Sequence, residues 1–142
     1  MTVTFVRGAS GSGKSTFVKR NFKNIFHLEN DYFFYKDGKY EWNGKLIPNA
    51  IKWVENSLRV ALANGMDVVI SNTFVLKSHL DPLVNLAKSR GAKVDIFRMV
   101  GSFKNAHDVP EEIVQSMKNR MEDYEGEILV TPEDGGYVFS AF

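Results

Sequence analysis

The sequence predicts one α/β domain over residues 1–142, with a mainly parallel sheet of four to five strands and helices on both faces. Three observations lead there. Short β-branched and aromatic runs alternate with stretches of helical periodicity, the pattern of parallel strands joined by crossover helices. A glycine-rich stretch separates the first strand from the first helix, where open α/β sheets collect ligands. No internal repeat, low-complexity tract or Pro/Ser-rich linker divides the chain.

The elements follow in order. Val3 to Arg7 is a strand that stops at Gly8, and Ser15 to about Phe22 reads as a helix leaving the loop. Ile25 to Leu28 is a second short strand. Ile47, Ile51, Val54, Leu58 and Leu62 recur at three- and four-residue spacing, so they mark an amphipathic helix closed by Gly65. Asp67 to Ser71 is a third strand, apolar on both faces as an interior parallel strand should be. Leu80, Leu83 and Leu86 mark a helix capped by Ser78 and ended by Gly91; Lys93 to Met99 is a fourth strand. Asp108 is the expected cap of the last helix, with Pro110 in its first turn and Ile113, Met117 and Met121 as its core stripe. Residues 127–142, with the turn signal Pro132 to Gly136, are expected to form a hairpin or edge strand.

Gly8-Ala9-Ser10-Gly11-Ser12-Gly13-Lys14-Ser15 is a phosphate-binding loop by pattern and by setting, because it follows a strand and opens a helix. Glycines let successive backbone N–H groups turn inward on phosphate oxygens, and the helix N-terminus adds partial positive charge. The predicted donor site is therefore Gly8, Ser10, Gly11, Ser12, Gly13, Lys14, Ser15 and Thr16. Lys14 would reach along the outer phosphates and the Ser15 hydroxyl would ligate magnesium, so ATP and Mg2+ are the expected cofactors. The fold class becomes that of the P-loop NTPases, a three-layer sandwich.

Transfer to an acceptor needs a base beside the acceptor hydroxyl and cations over the moving phosphoryl group. Asp31 follows the second strand at the ligand-collecting edge and is the expected base. Residues 101–108 form a short polar segment opened by a glycine, the expected lid, and its Lys104 is the expected cation, with His107 and Arg120 as helpers. Phe33, Phe34, Tyr35, Tyr40 and Trp42 crowd an insert at about residues 33–46, interleaved with Lys36, Lys39 and Lys45. It is expected to be a hairpin turning at Asp37-Gly38, with Phe33 and Phe34 capping the core and Tyr40 and Trp42 more open to bases.

Asn30-Asp31-Tyr32-Phe33-Phe34, Val68-Val-Ile-Ser-Asn-Thr73 and Lys104-Asn-Ala-His-Asp-Val-Pro110, taken in order with the loop, resemble the polynucleotide-kinase-like branch of P-loop kinases and the small AAA-type ATP-binding kinases common in phages and bacteria. The resemblance covers roughly residues 1–125. It implies that Asp31 is the catalytic base and that Lys104 stands where an arginine often contacts the donor phosphates. The chain departs from the pattern at two further places. No carboxylate stands at Ser71 or Asn72, where the third strand of that family usually ends in one, and Phe34 stands where the resemblance to the polynucleotide-kinase-like branch implies an arginine gripping the acceptor phosphate.

The apolar share of 44% suffices for a packed core. The absence of cysteine excludes a disulfide framework and thiolate zinc sites and fits a cytoplasmic protein; no apolar run reaches membrane-spanning length, so no membrane partner is expected. Residues 1–100 hold 15 Lys/Arg against 8 Asp/Glu, whereas residues 101–142 hold 3 against 9. A positive body favours polyphosphate or nucleic-acid partners. The expected activity is ATP-dependent transfer of a γ-phosphoryl group to a hydroxyl of a polynucleotide end, a nucleotide or a modified nucleobase. The alternatives are a small-molecule or toxin-type kinase and a nucleotide-binding module with reduced catalysis.

Overall fold

The computed structural model describes residues 1–101 and 109–141. In chain order, β1 (Thr2–Arg7) leads through the loop to α1 (Lys14–Asn21) and β2 (Phe26–Leu28). A 3₁₀ turn (Asn30–Phe34) and a small hairpin, β3 (Tyr35–Lys36) and β4 (Lys39–Tyr40), precede α2 (Ile47–Ala63) and β5 (Val68–Asn72). Then come α3 (Lys77–Ser89), β6 (Lys93–Met99), α4 (Glu111–Arg120), β7 (Ile128–Glu133) and β8 (Gly136–Ala141).

One six-stranded sheet runs in the order β2-β5-β1-β6-β7-β8. Five strands are parallel; β8 returns antiparallel on β7. β1 lies between β5 and β6, with Val3 beside Val68 on one side and Val94 on the other. Strand alternation splits the core in two. Val3, Phe5, Val68 and Ile70 pack with Val54, Leu58, Leu80 and Leu83 of α2 and α3. Val6 and Val69 face the opposite way, onto Phe17 and Val18 of α1. Residues with a period of two on a two-sided sheet give the continuous apolar runs seen in the sequence.

The sheet holds one strand more than expected because residues 128–141 form a full hairpin docked on β6, with Phe97 beside Ile128. Helix ends depart from the sequence reading in two places. α3 starts at Lys77, not after a Ser78 cap; Glu122 Oε1 accepts a hydrogen bond from the Lys77 N–H at 2.8 Å, a cap supplied from 45 residues away. On α4 the buried residue is Val114, whereas Ile113 is 48% exposed. Asp108, the expected cap of α4, lies outside the described residues.

The sequence reading passed over Arg7. At the end of β1 it is fully buried and forms an ion pair with the equally buried Glu127 at 3.0 Å. Its remaining donors reach the carbonyls of Phe74, Val75 and Glu122. Glu127 also pairs with Arg98 at 3.3 Å and accepts the Tyr124 N–H at 2.8 Å. Desolvation lowers the Arg7 pKa and the Glu127 carboxylate counters it. A buried charge left without its partner costs about 3–5 kcal/mol. Glu127→Gln is therefore expected to lower unfolding free energy by roughly that amount, read as a fall in urea midpoint with an unchanged m-value.

Candidate active site

β1 stops where no side chain fits. A Cβ on Gly8 would lie 2.5 Å from the Ser12 Oγ and 2.8 Å from the Met99 carbonyl oxygen. The Gly8 N–H donates to the Thr73 carbonyl at 3.2 Å, which ties the start of the loop to the end of β5. The loop closes on Gly13, whose φ of 96° is left-handed and which serves as the N-cap of α1. α1 therefore opens at Lys14 with its N-terminus toward the C-terminal ends of β2 and β5.

Lys14 Nζ donates to the carbonyls of Gly8 at 2.9 Å and Ala9 at 3.0 Å. Burial pulls its pKa down to about 8, against the opposing pull of Glu29 and Asp31. Ser10, Gly11, Gly13, Lys14, Ser15 and Thr16 line a cleft of about 640 Å³, within the range of small-molecule sites. Gly8 and Ser12 do not line it. The Ser12 amide is held by the Ala9 carbonyl at 3.1 Å, and its hydroxyl is buried without a hydrogen-bond partner among the described residues. These two residues shape the turn from beneath.

The opposite wall comes from the ends of β2 and β5. Asp31 sits in the 3₁₀ turn, lines the cleft and accepts the Tyr40 hydroxyl at 3.2 Å. Burial first, and Asp31 second, push Tyr40 up to about 12, so it stays a donor. Asn30 and Asn72 hold the two strand ends together: the Asn30 N–H donates to Asn72 Oδ1 at 2.8 Å, and Asn72 Nδ2 donates to Asn30 Oδ1 at 3.2 Å. Beside them the Ser71 hydroxyl donates to Glu29 Oε2 at 2.9 Å.

Lys104 and His107 lie outside the described residues. Arg120 lies on α4, bonded through Nε to Ser116 Oγ at 3.2 Å, and does not line the cleft. The insert is the expected hairpin: Phe34 is buried, Phe33 packs on Phe34 and Trp53, and Trp42 is 60% exposed. Sequence reasoning missed Arg20, Glu29 and the β7–β8 turn as cleft residues. Arg20 follows Thr16 by one helical turn, a legible signal, and donates to the Gly135 carbonyl at 3.1 Å. The turn gave no such signal, because its position depends on β7 pairing with β6.

Among the described residues no three His, Cys, Asp or Glu side chains form a group able to cage a metal ion. The oxygen donors Ser15, Glu29 and Asp31 share the cleft with Lys14 and suit a hard cation held jointly with phosphates, the usual manner for magnesium. The site fits a polyphosphate with its cation.

A glycine cradle opening a helix at the C-terminal edge of a parallel sheet defines a P-loop, kinase-like domain. A family model described as an AAA domain matches residues 3–102, and the chain belongs to that family. An uncharacterized protein of Pasteurella multocida, PM0531, is 31% identical over 92% of this chain and 83% of its own length. Human NEDD4-binding protein 2 is 26% identical over 82% of this chain, which spans only 7% of that protein. Among solved structures, a sugar kinase from Janibacter superposes with a TM-score of 0.64 at 17% identity, over 92% of this chain and 85% of that one. A chain of the Pnkp1/Rnl/Hen1 RNA repair complex superposes with a TM-score of 0.57 at 26% identity, over 85% of this chain and 38% of that one.

Gly8→Ala is expected to lose about 1–3 kcal/mol of stability, because the Met99 carbonyl belongs to a sheet strand and cannot retreat. Thermal unfolding of the two proteins side by side checks this.

Proposed function

We propose that the chain transfers the γ-phosphoryl group of Mg-ATP to a hydroxyl at a polynucleotide end, a nucleotide or a modified nucleobase. The observation that carries the reading is one cleft holding the Lys14 ammonium at the helix N-terminus on one wall and the Asp31 carboxylate on the other. Phosphoryl transfer is mostly positioning and electrostatic stabilisation, and this pairing supplies both.

In this reading the loop amides and the N-terminus of α1 hold the triphosphate, and Lys14 exchanges the Gly8 and Ala9 carbonyls for phosphate oxygens. The Tyr40 hydroxyl fixes one oxygen of Asp31, leaving the carboxylate oriented toward the acceptor. As the acceptor oxygen bonds to the γ-phosphorus, the bond to the bridging oxygen of ADP breaks, and Asp31 takes the acceptor proton. Ser15 would hold magnesium, which would supply charge neutralisation over the outer phosphates. Lys104, which lies outside the described residues, keeps its proposed role as a further cation on the sequence pattern alone.

Two observations support a nucleic-acid or nucleotide acceptor. The β3–β4 hairpin, tied to Asp31 through Tyr40, exposes Tyr35, Lys36 and Lys39, and the segment that follows exposes Trp42 and Lys45. The likeness to a chain of an RNA repair complex runs over 85% of the sequence. Incubation with γ-labelled ATP and a panel of 5′-hydroxyl oligonucleotides, nucleosides and sugars tests the reading. Label on the oligonucleotide or nucleoside is expected; label on a sugar alone would favour a small-molecule kinase. Label appearing only as free phosphate would overturn transfer altogether.

Asp31→Asn is expected to keep nucleotide affinity while reducing transfer roughly 10²- to 10⁴-fold, the usual worth of a general base. Calorimetry and single-turnover labelling separate the two effects. Trp42→Ala is expected to weaken oligonucleotide binding by about 1–3 kcal/mol, the worth of one stacked base, without changing nucleotide affinity.

A further inference from the structure

β5 runs beside β1 into the cleft, the place from which a strand carboxylate normally serves the magnesium of a P-loop site. Here it ends in Ser71-Asn72, and neither is acidic. Asn72 is engaged with Asn30 through both its side-chain oxygen and its nitrogen. The neighbouring strand compensates. β2 pairs parallel with β5, Leu28 beside Ile70, so the next residue along each strand, Glu29 and Ser71, fall side by side. The Ser71 hydroxyl donates to Glu29 Oε2 at 2.9 Å, and the Glu29 side chain is only 17% exposed.

Resting on the triphosphate reading above, we propose that Glu29 is the carboxylate that holds the nucleotide-bound divalent cation, moved from β5 to the end of β2, with Ser71 as its positioning residue. Glu29 lines the same cleft as Lys14 and Ser15, and its negative charge supports the Lys14 ammonium more strongly than that of Asp31 does. The hydrogen-bond chain behind it runs in a single direction. Ser71 gives its hydrogen to Glu29, so the 2.5 Å contact between Ser71 Oγ and His27 Nε2 requires that nitrogen to donate. His27 Nδ1 is then left to accept from the Tyr32 hydroxyl at 3.0 Å. One tautomer of a neutral imidazole satisfies the whole chain, and it ends on the carboxylate. This is the arrangement by which outer partners orient a metal ligand. One oxygen of Glu29 is fixed by Ser71, which aims the carboxylate rather than leaving it to rotate. A cation that keeps most of its waters and binds through one carboxylate and phosphates needs no more from the protein.

The test reads metal affinity rather than turnover. Calorimetry measures binding of a non-hydrolysable ATP analogue, adenosine 5′-(β,γ-imido)triphosphate, with saturating magnesium and with EDTA; the ratio is the metal-linked gain. Glu29→Gln is expected to cut that gain about 10- to 100-fold, and Ser71→Ala to cut it about tenfold, each at unchanged melting temperature. Metal-free affinity in Glu29→Gln should be equal or tighter, since a negative charge has left the anion site; this sign separates a cation ligand from a merely structural residue. Asp31→Asn should keep the gain. A gain unchanged in Glu29→Gln, a gain lost with Asp31→Asn instead, or parallel loss of metal-free binding in Glu29→Gln would overturn the assignment. Wild-type protein that binds the analogue under neither condition would refute the triphosphate reading and the assignment with it.

Discussion

The point on which the site depends is the close approach of the Gly8 backbone to the Met99 carbonyl and the Ser12 hydroxyl. β1 is the strand flanked by β5 and β6, and its last residues are buried on both faces. A chain leaving such a strand can turn toward the cleft only if nothing projects at the turn. Once it does, Gly13 and the start of α1 are placed by the covalent geometry of a few residues. The Lys14 ammonium, the Asp31 carboxylate and the Asn30–Asn72 clasp then face one another because parallel strands in register end together. The cleft follows from strand register plus one forbidden side chain.

A second constraint holds the other side of that turn. Arg7, one residue earlier, gathers the carbonyls after β5, the segment after α4 and the Glu127 carboxylate around one desolvated guanidinium. Glu122 in the same segment caps α3. A short stretch between α4 and β7 therefore serves both a helix start and the end of β1. The Arg7 bonds to Phe74, Val75 and Glu127 are polar and buried, so each donor must meet its acceptor and the end of β1 is held in one geometry.

Much of this was legible in the sequence because it is local. The phosphate loop is a contiguous pattern; β1 and β5 announce themselves as apolar runs; Gly65 and Gly91 end their helices with positive φ as expected. The insert hairpin follows from Asp37-Gly38, both with positive φ. What escaped is non-local. The cap of α3 comes from Glu122, the partner of Arg7 from Glu127, and neither spacing carries a periodic signal. In the α4 stripe Val114 takes the inward place expected of Ile113, because the two are adjacent and only packing decides which one faces inward. Glu29 reads as an ordinary strand-end residue until β2 is laid beside β5.

The cleft joins segments far apart in the chain: the loop at residues 8–16 lies on one side, and the turn at residues 132–137, bonded to Arg20 through Gly135, lines the same cleft. A sequence separation of more than one hundred residues means that this contact closes one of the longest loops in the molecule, the kind that slows folding and completes late. Completion of the cleft is therefore coupled to the pairing of β7 with β8, which sets the turn that Arg20 holds through Gly135.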